Sequence, residues 1–114
     1  MELSIYFETL KKEIVKRITK TYNPLELIIY GSYAKGTATE ESDLDLVVVL
    51  NESGLSKTYQ ELLSNRRKVS VLLQELRKKT PIDLLVYTKD EWNQLLQTKN
   101  SFIDEINNEG IHLI

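Results

Sequence analysis

Asp43 and Asp45 stand two positions apart at the front of the apolar run that continues through Leu46, Val47, Val48, Val49 and Leu50, ten residues after the pair Gly31-Ser32. On a strand, residues two apart point to one face, so the carboxylates crowd and one takes up a proton unless a cation keeps both ionised. The run reads as a strand buried on both faces, where an unpaired carboxylate costs on the order of several kcal/mol. A divalent metal offsets that cost, and magnesium takes one or two carboxylates together with substrate phosphates. Gly31 at a strand end permits a tight turn and close approach of a ligand to the backbone. A short helical turn after it aims N–H groups, with the Ser32 hydroxyl, at an anion. These residues together are expected to form a metal and phosphate site.

Asp83 is the third carboxylate, a single charge within Pro81-Ile82-Asp83-Leu84-Leu85-Val86-Tyr87. If that strand neighbours the one carrying Asp45, three carboxylates can hold two metals, or one metal plus a general base for an attacking hydroxyl. An edge-strand aspartate without a role is the competing reading. Lys35 lies just beyond Ser32, where it would neutralise a triphosphate or else remain a solvated surface lysine. Thr37, Thr39 and Ser42 are read as ordinary loop residues, Tyr30, Tyr33, Tyr59 and Tyr87 as half-buried packing residues, Trp92 as core and His112 as structural. The basic clusters Arg66-Arg67-Lys68 and Arg77-Lys78-Lys79 are read as solvated helix faces, with a docking role kept open.

The elements that must position these groups follow from periodicity. Leu3, Phe7, Leu10, Ile14 and Ile18 recur three and four apart with lysines and arginine between them, an amphipathic helix closed by Asn23-Pro24. Leu25 to Tyr30 is a first strand, Tyr33 to Gly36 a helical turn, and Leu44 to Leu50 a second strand. Leu55 to Lys79 is helical in composition, with Leu62, Val69, Leu72, Leu73 and Leu76 on one side and Ser64-Asn65 as the expected break. Ile82 to Tyr87 is a third strand. Thr88 caps a helix through Gln97, with Asp90 and Glu91 in its first turn. A last helix, Asn100 to Glu109, carries Phe102, Ile103 and Ile106, with Gly110 as its C-cap and Ile111 to Ile114 as an edge strand. That order predicts a small mixed β-sheet flanked by helices, of the α/β (α+β) class.

The 114 residues are expected to form one domain, 1–114. A net charge of −2 argues against a general nucleic-acid coat, and no direct nucleic-acid binding is expected. The absence of cysteine excludes disulfides, thiolate zinc sites and cysteine nucleophiles. With neither a signal peptide nor a stretch approaching the roughly 20 apolar residues of a membrane span, a cytoplasmic protein is expected.

Gly31-Ser32, ten residues, then Asp43-x-Asp45, with Asp83 on a later strand, resembles the DNA polymerase β-like nucleotidyltransferase superfamily. The form GSYAKGTATEESDLDLVVVL is similar to the minimal nucleotidyltransferases, the MNT-domain antitoxins paired with HEPN-family ribonuclease toxins. The resemblance implies a nucleotidyltransferase fold and two-ion Mg²⁺ chemistry with ATP as substrate. Ser32 and neighbouring N–H groups would hold the β and γ phosphates, Asp43 and Asp45 the magnesium ions, and Asp83 a metal and the acceptor proton. In that family the acceptor is a tyrosine of the partner HEPN toxin, so adenylylation silences the ribonuclease. Many relatives carry arginine where Tyr33 and Lys35 stand, which implies a triphosphate affinity here that is weaker or rests on Lys35. Two alternatives stay open: a non-catalytic antitoxin acting by contact, and a small-molecule nucleotidyltransferase of the aminoglycoside-modifying kind.

Overall fold

The computed structural model describes residues 2–56 and 58–114; the side chain of Tyr59, expected to pack, lies outside what is described. The elements run α1 (Leu3–Thr19), β1 (Pro24–Tyr30), α2 (Ser32–Lys35), β2 (Leu44–Leu50), α3 (Tyr59–Leu72), α4 (Gln74–Arg77), β3 (Ile82–Thr88), α5 (Lys89–Gln97), α6 (Ser101–Glu109) and β4 (Ile111–His112). One four-stranded sheet in the order β3-β2-β1-β4 forms the frame. β1 pairs antiparallel with β2 and with β4, whereas β2 and β3 run parallel, because α3 and α4 carry the chain back to the same end. The sheet is mixed and flanked by helices, as the element order predicts.

Strand parity divides the core in two. Leu27, Ile29, Leu44, Leu46, Val48, Leu50, Ile82, Leu84 and Val86 pack against Leu10, Ile14 and Ile18 of α1 and against Val69 and Leu73. On the other face, Ile28, Val47 and Val49 meet Trp92 of α5 and Ile103 and Ile106 of α6. Trp92 is core, as expected. β2 is buried at every position except Asp45, which is only partly covered. A central strand covered by helices on both faces needs such a continuous apolar run.

The caps hold the loops around this frame. Thr88 and Glu91 form a reciprocal capping box at the start of α5. The Thr88 hydroxyl also donates to the Gly54 carbonyl (2.5 Å), and Asp90 Oδ2 accepts from the Gly54 N–H (2.6 Å), so the loop after β2 is tied to the same helix end. Asn100 caps α6, accepting from the N–H groups of Phe102 and Ile103. Gly110 closes α6 with extended backbone; a Cβ there would run into Ile28 and the Ile106 carbonyl.

Two expectations need correction. The break in the long helix falls at Leu73 between α3 and α4, and Ser64-Asn65 stays helical. Leu62 is exposed, because burial against the sheet comes from the end of α3, at Val69, and from its C-cap Leu73. Phe102, in the first turn of α6, is also exposed: Ile103 and Ile106 pack on the sheet, while Phe102 meets the Tyr30 ring at its end.

Candidate active site

The candidate groups collect at one end of the sheet, on the α5–α6 face. Asp45 is the register partner of Tyr30 across the antiparallel pair and of Asp83 across the parallel pair. Equivalent registers in neighbouring strands put side chains on the same face. Tyr30, Asp45 and Asp83 therefore form a row across three strands. Asp43 precedes β2 by one residue, beside the point where the Leu44 N–H donates to the Pro81 carbonyl (2.9 Å) and ties the entries of β2 and β3 together. Asp83 and Asp43 are exposed and Asp45 is partly buried.

Gly31 lies hard against this row. Its φ of 74° is in the region that favours glycine, and a Cβ there would overlap Asp45 Oδ2 and sit 3.2 Å from Asp45 Cγ. Glycine is thus required twice, by backbone conformation and by the carboxylate. α2 starts at the next residue, Ser32, and its first turn carries N–H groups that lack intrahelical acceptors. The Gly31-Ser32 turn and Asp45 are immediate neighbours.

Electrostatics records the crowding. The Asp45 carboxyl is pushed above the usual aspartate range by burial first, then by Asp83 and Asp43. The Tyr30 phenol is pushed up to about 12 by burial, then by Asp45 and Asp83. Asp83 and Asp43 thus both bear on Asp45, and among the described residues no cation forms an ion pair with any of the three. Among the described residues, no three Asp, Glu or His side chains converge closely enough to cage a metal ion. The carboxylates form a ledge, open to solvent at Asp43 and Asp83. Its chemistry suits Mg²⁺: hard oxygen donors only, few from the protein, with room for phosphate oxygens to complete an octahedron.

Beside the turn, a cavity of about 240 Å³ is bounded by Tyr30, Gly31 and Lys35 on one side and by Phe102, Glu105 and Glu109 of α6 on the other. Lys35 pairs with Glu105 at 3.7 Å, both well exposed. Tyr30 and Phe102 meet edge to face, centroids 5.8 Å apart. Phe102 and Glu105 as site neighbours are not anticipated by the sequence; an aromatic exposed at the start of an amphipathic helix is the one signal that points to them.

Other polar residues prove to be scaffold. The Thr39 N–H donates to Ser42 Oγ (2.8 Å) and the Ser42 N–H to the Thr39 carbonyl (3.1 Å), a closed turn that delivers the chain to Asp43. His112 Nε2 contacts the Asn107 carbonyl at 2.8 Å, and Nδ1 lies 3.5 Å from Glu26, a structural role tying the β4 edge to α6 and β1. Tyr33 is buried, and Tyr30 and Tyr87 are partly buried, in keeping with packing.

The family described as "Nucleotidyltransferase domain" matches residues 11–108. Two proteins of Methanocaldococcus jannaschii, each named a putative protein adenylyltransferase, are similar in sequence. One is 29% identical over 107 residues, covering 89% of this chain and 96% of the relative. The other is 36% identical over 83 residues, covering 70% of this chain and 81% of the relative. In fold, the chain is similar to a putative nucleotidyltransferase from Sulfolobus solfataricus (TM-score 0.61, 21% identity, 95% of this chain and 79% of that one). It is also similar to a chain of a crystal structure described as the toxin-antitoxin with AMP-PNP (TM-score 0.58, 19% identity, 91% of this chain and 72% of that one). Among the described residues, no helix is long and apolar enough to cross a membrane.

Proposed function

The chain belongs to the nucleotidyltransferase domain family, and from that premise we propose that it transfers AMP from ATP to a protein hydroxyl, the acceptor being a tyrosine of a HEPN-type toxin for which it is the antitoxin. The observation that carries this reading is the Asp45–Asp83 register on one face, with the Gly31 turn packed against Asp45. The curated relatives support protein as the acceptor class, and the toxin-antitoxin fold neighbour supports the partner.

In this reading Gly31, Ser32 and Lys35 bind the triphosphate. The N–H groups of the first α2 turn and the Ser32 hydroxyl donate to phosphate oxygens, while Lys35 leaves Glu105 to neutralise them. Asp43, Asp45 and Asp83 would hold Mg²⁺, which when bound supplies charge neutralisation and polarisation of the phosphate oxygens. Asp83, exposed and on the neighbouring strand, takes the proton of the incoming tyrosine hydroxyl. The phenolic oxygen forms a bond to the α-phosphorus, the bond from that phosphorus to the β-bridging oxygen breaks, and pyrophosphate leaves with the electron pair. A partner that acts by contact alone has no use for three mutually repelling carboxylates, which disfavours the binding-only alternative.

The test is incubation of the chain with its toxin partner, Mg²⁺ and ATP labelled on the α-phosphate. Label is expected on the toxin, and Asp43→Ala, Asp45→Ala and Asp83→Ala are each expected to abolish its transfer while the circular dichroism spectrum is kept. Transfer that survives in the Asp43 and Asp45 variants refutes the assignment.

A further inference from the structure

The basic clusters that the catalytic reading leaves unused converge on one groove. Arg66 and Arg67 of α3 and Arg77 and Lys78 at α4 line a concave surface of about 590 Å³, together with Leu63, Ser70, Val71 and Gln74. All four cations are exposed. Lys78 has Glu75 at 3.3 Å, but among the described residues none of the three arginines pairs with an acid. Arg77 is fixed by a hydrogen bond to Ser70 Oγ, which bridges the two helices and holds the guanidinium at the groove. Val71 is 61% exposed there, with Leu62 also exposed on the same helix. In a chain of net charge −2, this is a local reversal of sign.

The geometry points to this α3–α4 groove as the docking site for an acidic, apolar-anchored segment of a protein partner. Charge complementarity sets the sign of the occupant. Arginine beside exposed aliphatic side chains is the composition of protein interfaces. A single-stranded nucleic acid would call for aromatic platforms on which bases stack, and among the described residues no aromatic lines the groove. The groove also lies upstream of the acid ledge along the chain: α4 leads through Lys79, Thr80 and Pro81 to Ile82, and the next residue is Asp83. A partner held there is anchored beside the entry of β3. The inference rests on the reading that the acceptor is a protein, and its test needs no catalysis.

The probes are a fluorescein-labelled amphipathic peptide of Glu and Leu, its Lys-and-Leu counterpart, and an oligouridylate of equal negative charge, each titrated against the full chain by anisotropy. The acidic peptide is expected to bind with an affinity that falls as salt rises, the basic peptide not to bind, and the oligouridylate to bind more weakly than the acidic peptide. Arg66→Glu combined with Arg77→Glu should weaken the acidic peptide about tenfold or more, as reversal of rim charges does. Val71→Asp should weaken it too. Every substituted side chain is exposed, so folding is retained, which circular dichroism verifies. Mg·ATP binding should be unchanged in these variants, and peptide binding unchanged in Asp45→Ala. Tighter binding of the oligouridylate, or equal peptide binding by the double variant and the parent, overturns the proposal. Peptide binding at the groove without any label transfer to a protein leaves the groove standing and refutes the adenylyltransferase reading instead.

Discussion

Replacing Asp45 by asparagine should make the metal-free protein more stable while abolishing transfer. The side chain keeps its shape but loses the charge that Asp83 and Asp43 oppose. Register partners on adjacent strands lie about 5 Å apart, and unit charges at that separation repel by about 1 kcal/mol in water and about 3 kcal/mol at an effective dielectric of 20. Asp83 is exposed and Asp45 only partly buried, so solvent screening selects the lower figure, about 1 kcal/mol. For a domain of this size that is a rise of about 4–6 °C in Tm. The pH dependence has a fixed sign. The Asp45 carboxyl titrates above its ordinary range in the folded chain, because of burial and then Asp83 and Asp43. The proton it binds therefore stabilises the fold below the unfolded value, and that stability is lost as pH rises through the folded value. The substituted asparagine is neutral throughout, so the variant's advantage should be present near neutrality and vanish in acid. Thermal melts in EDTA across that range measure it. Mg²⁺ with ATP at a hundredfold excess over Kd should raise the stability of the parent by about 2.7 kcal/mol and that of the variant by far less. A variant no more stable than the parent near neutral pH, or an advantage that persists in acid, would refute the electrostatic reasoning.

Gly31→Ala combines a disfavoured backbone conformation with a Cβ inside the Asp45 carboxylate, so a loss of about 1–3 kcal/mol by urea denaturation is expected, together with loss of label transfer. Glu105→Gln should leave stability within about 0.5 kcal/mol, since the Lys35 pair is a surface one; by releasing Lys35 it should tighten ATP binding about two- to fivefold, read by calorimetry. Thr88→Ala removes half of the α5 capping box and the hydrogen bond to Gly54, and should cost about 1–2 kcal/mol by urea denaturation, with no change in ATP affinity.

The strands were legible because their burial leaves a plain mark. The run from Leu44 to Leu50 has no polar face beyond Asp45, and helices do cover both sides. Thr88 followed three residues later by Glu91 announces a capping box, and the box forms. Strand parity led to Asp43 and Asp45 as neighbours; Asp43 falls just before β2, and its charge does bear on Asp45. What parity cannot supply is register between strands, so the alignment of Asp83 with Asp45 rather than with Asp43 or Val47 emerges only when the parallel ladder is seen. Helix periodicity likewise identifies a stripe without saying how far the underlying sheet extends. Leu62 and Phe102 are exposed for that reason. The Lys35–Glu105 pair joins residues 70 positions apart in the chain, and no local pattern forecasts such a contact.

The antiparallel β1–β2 pair starts at its loop end with Tyr30 opposite Asp45, so the Gly31 turn and the first two acids belong to one hairpin. Asp83 joins them only through a crossover of many more residues. Closing a loop costs more entropy as it lengthens, about 0.6 kcal/mol per doubling. Synthesis from the N-terminus thus supplies the Gly31 turn, Asp43 and Asp45 before Asp83 can join the parallel ladder beside them. The row of acids is therefore complete only once the long β2–β3 crossover has closed.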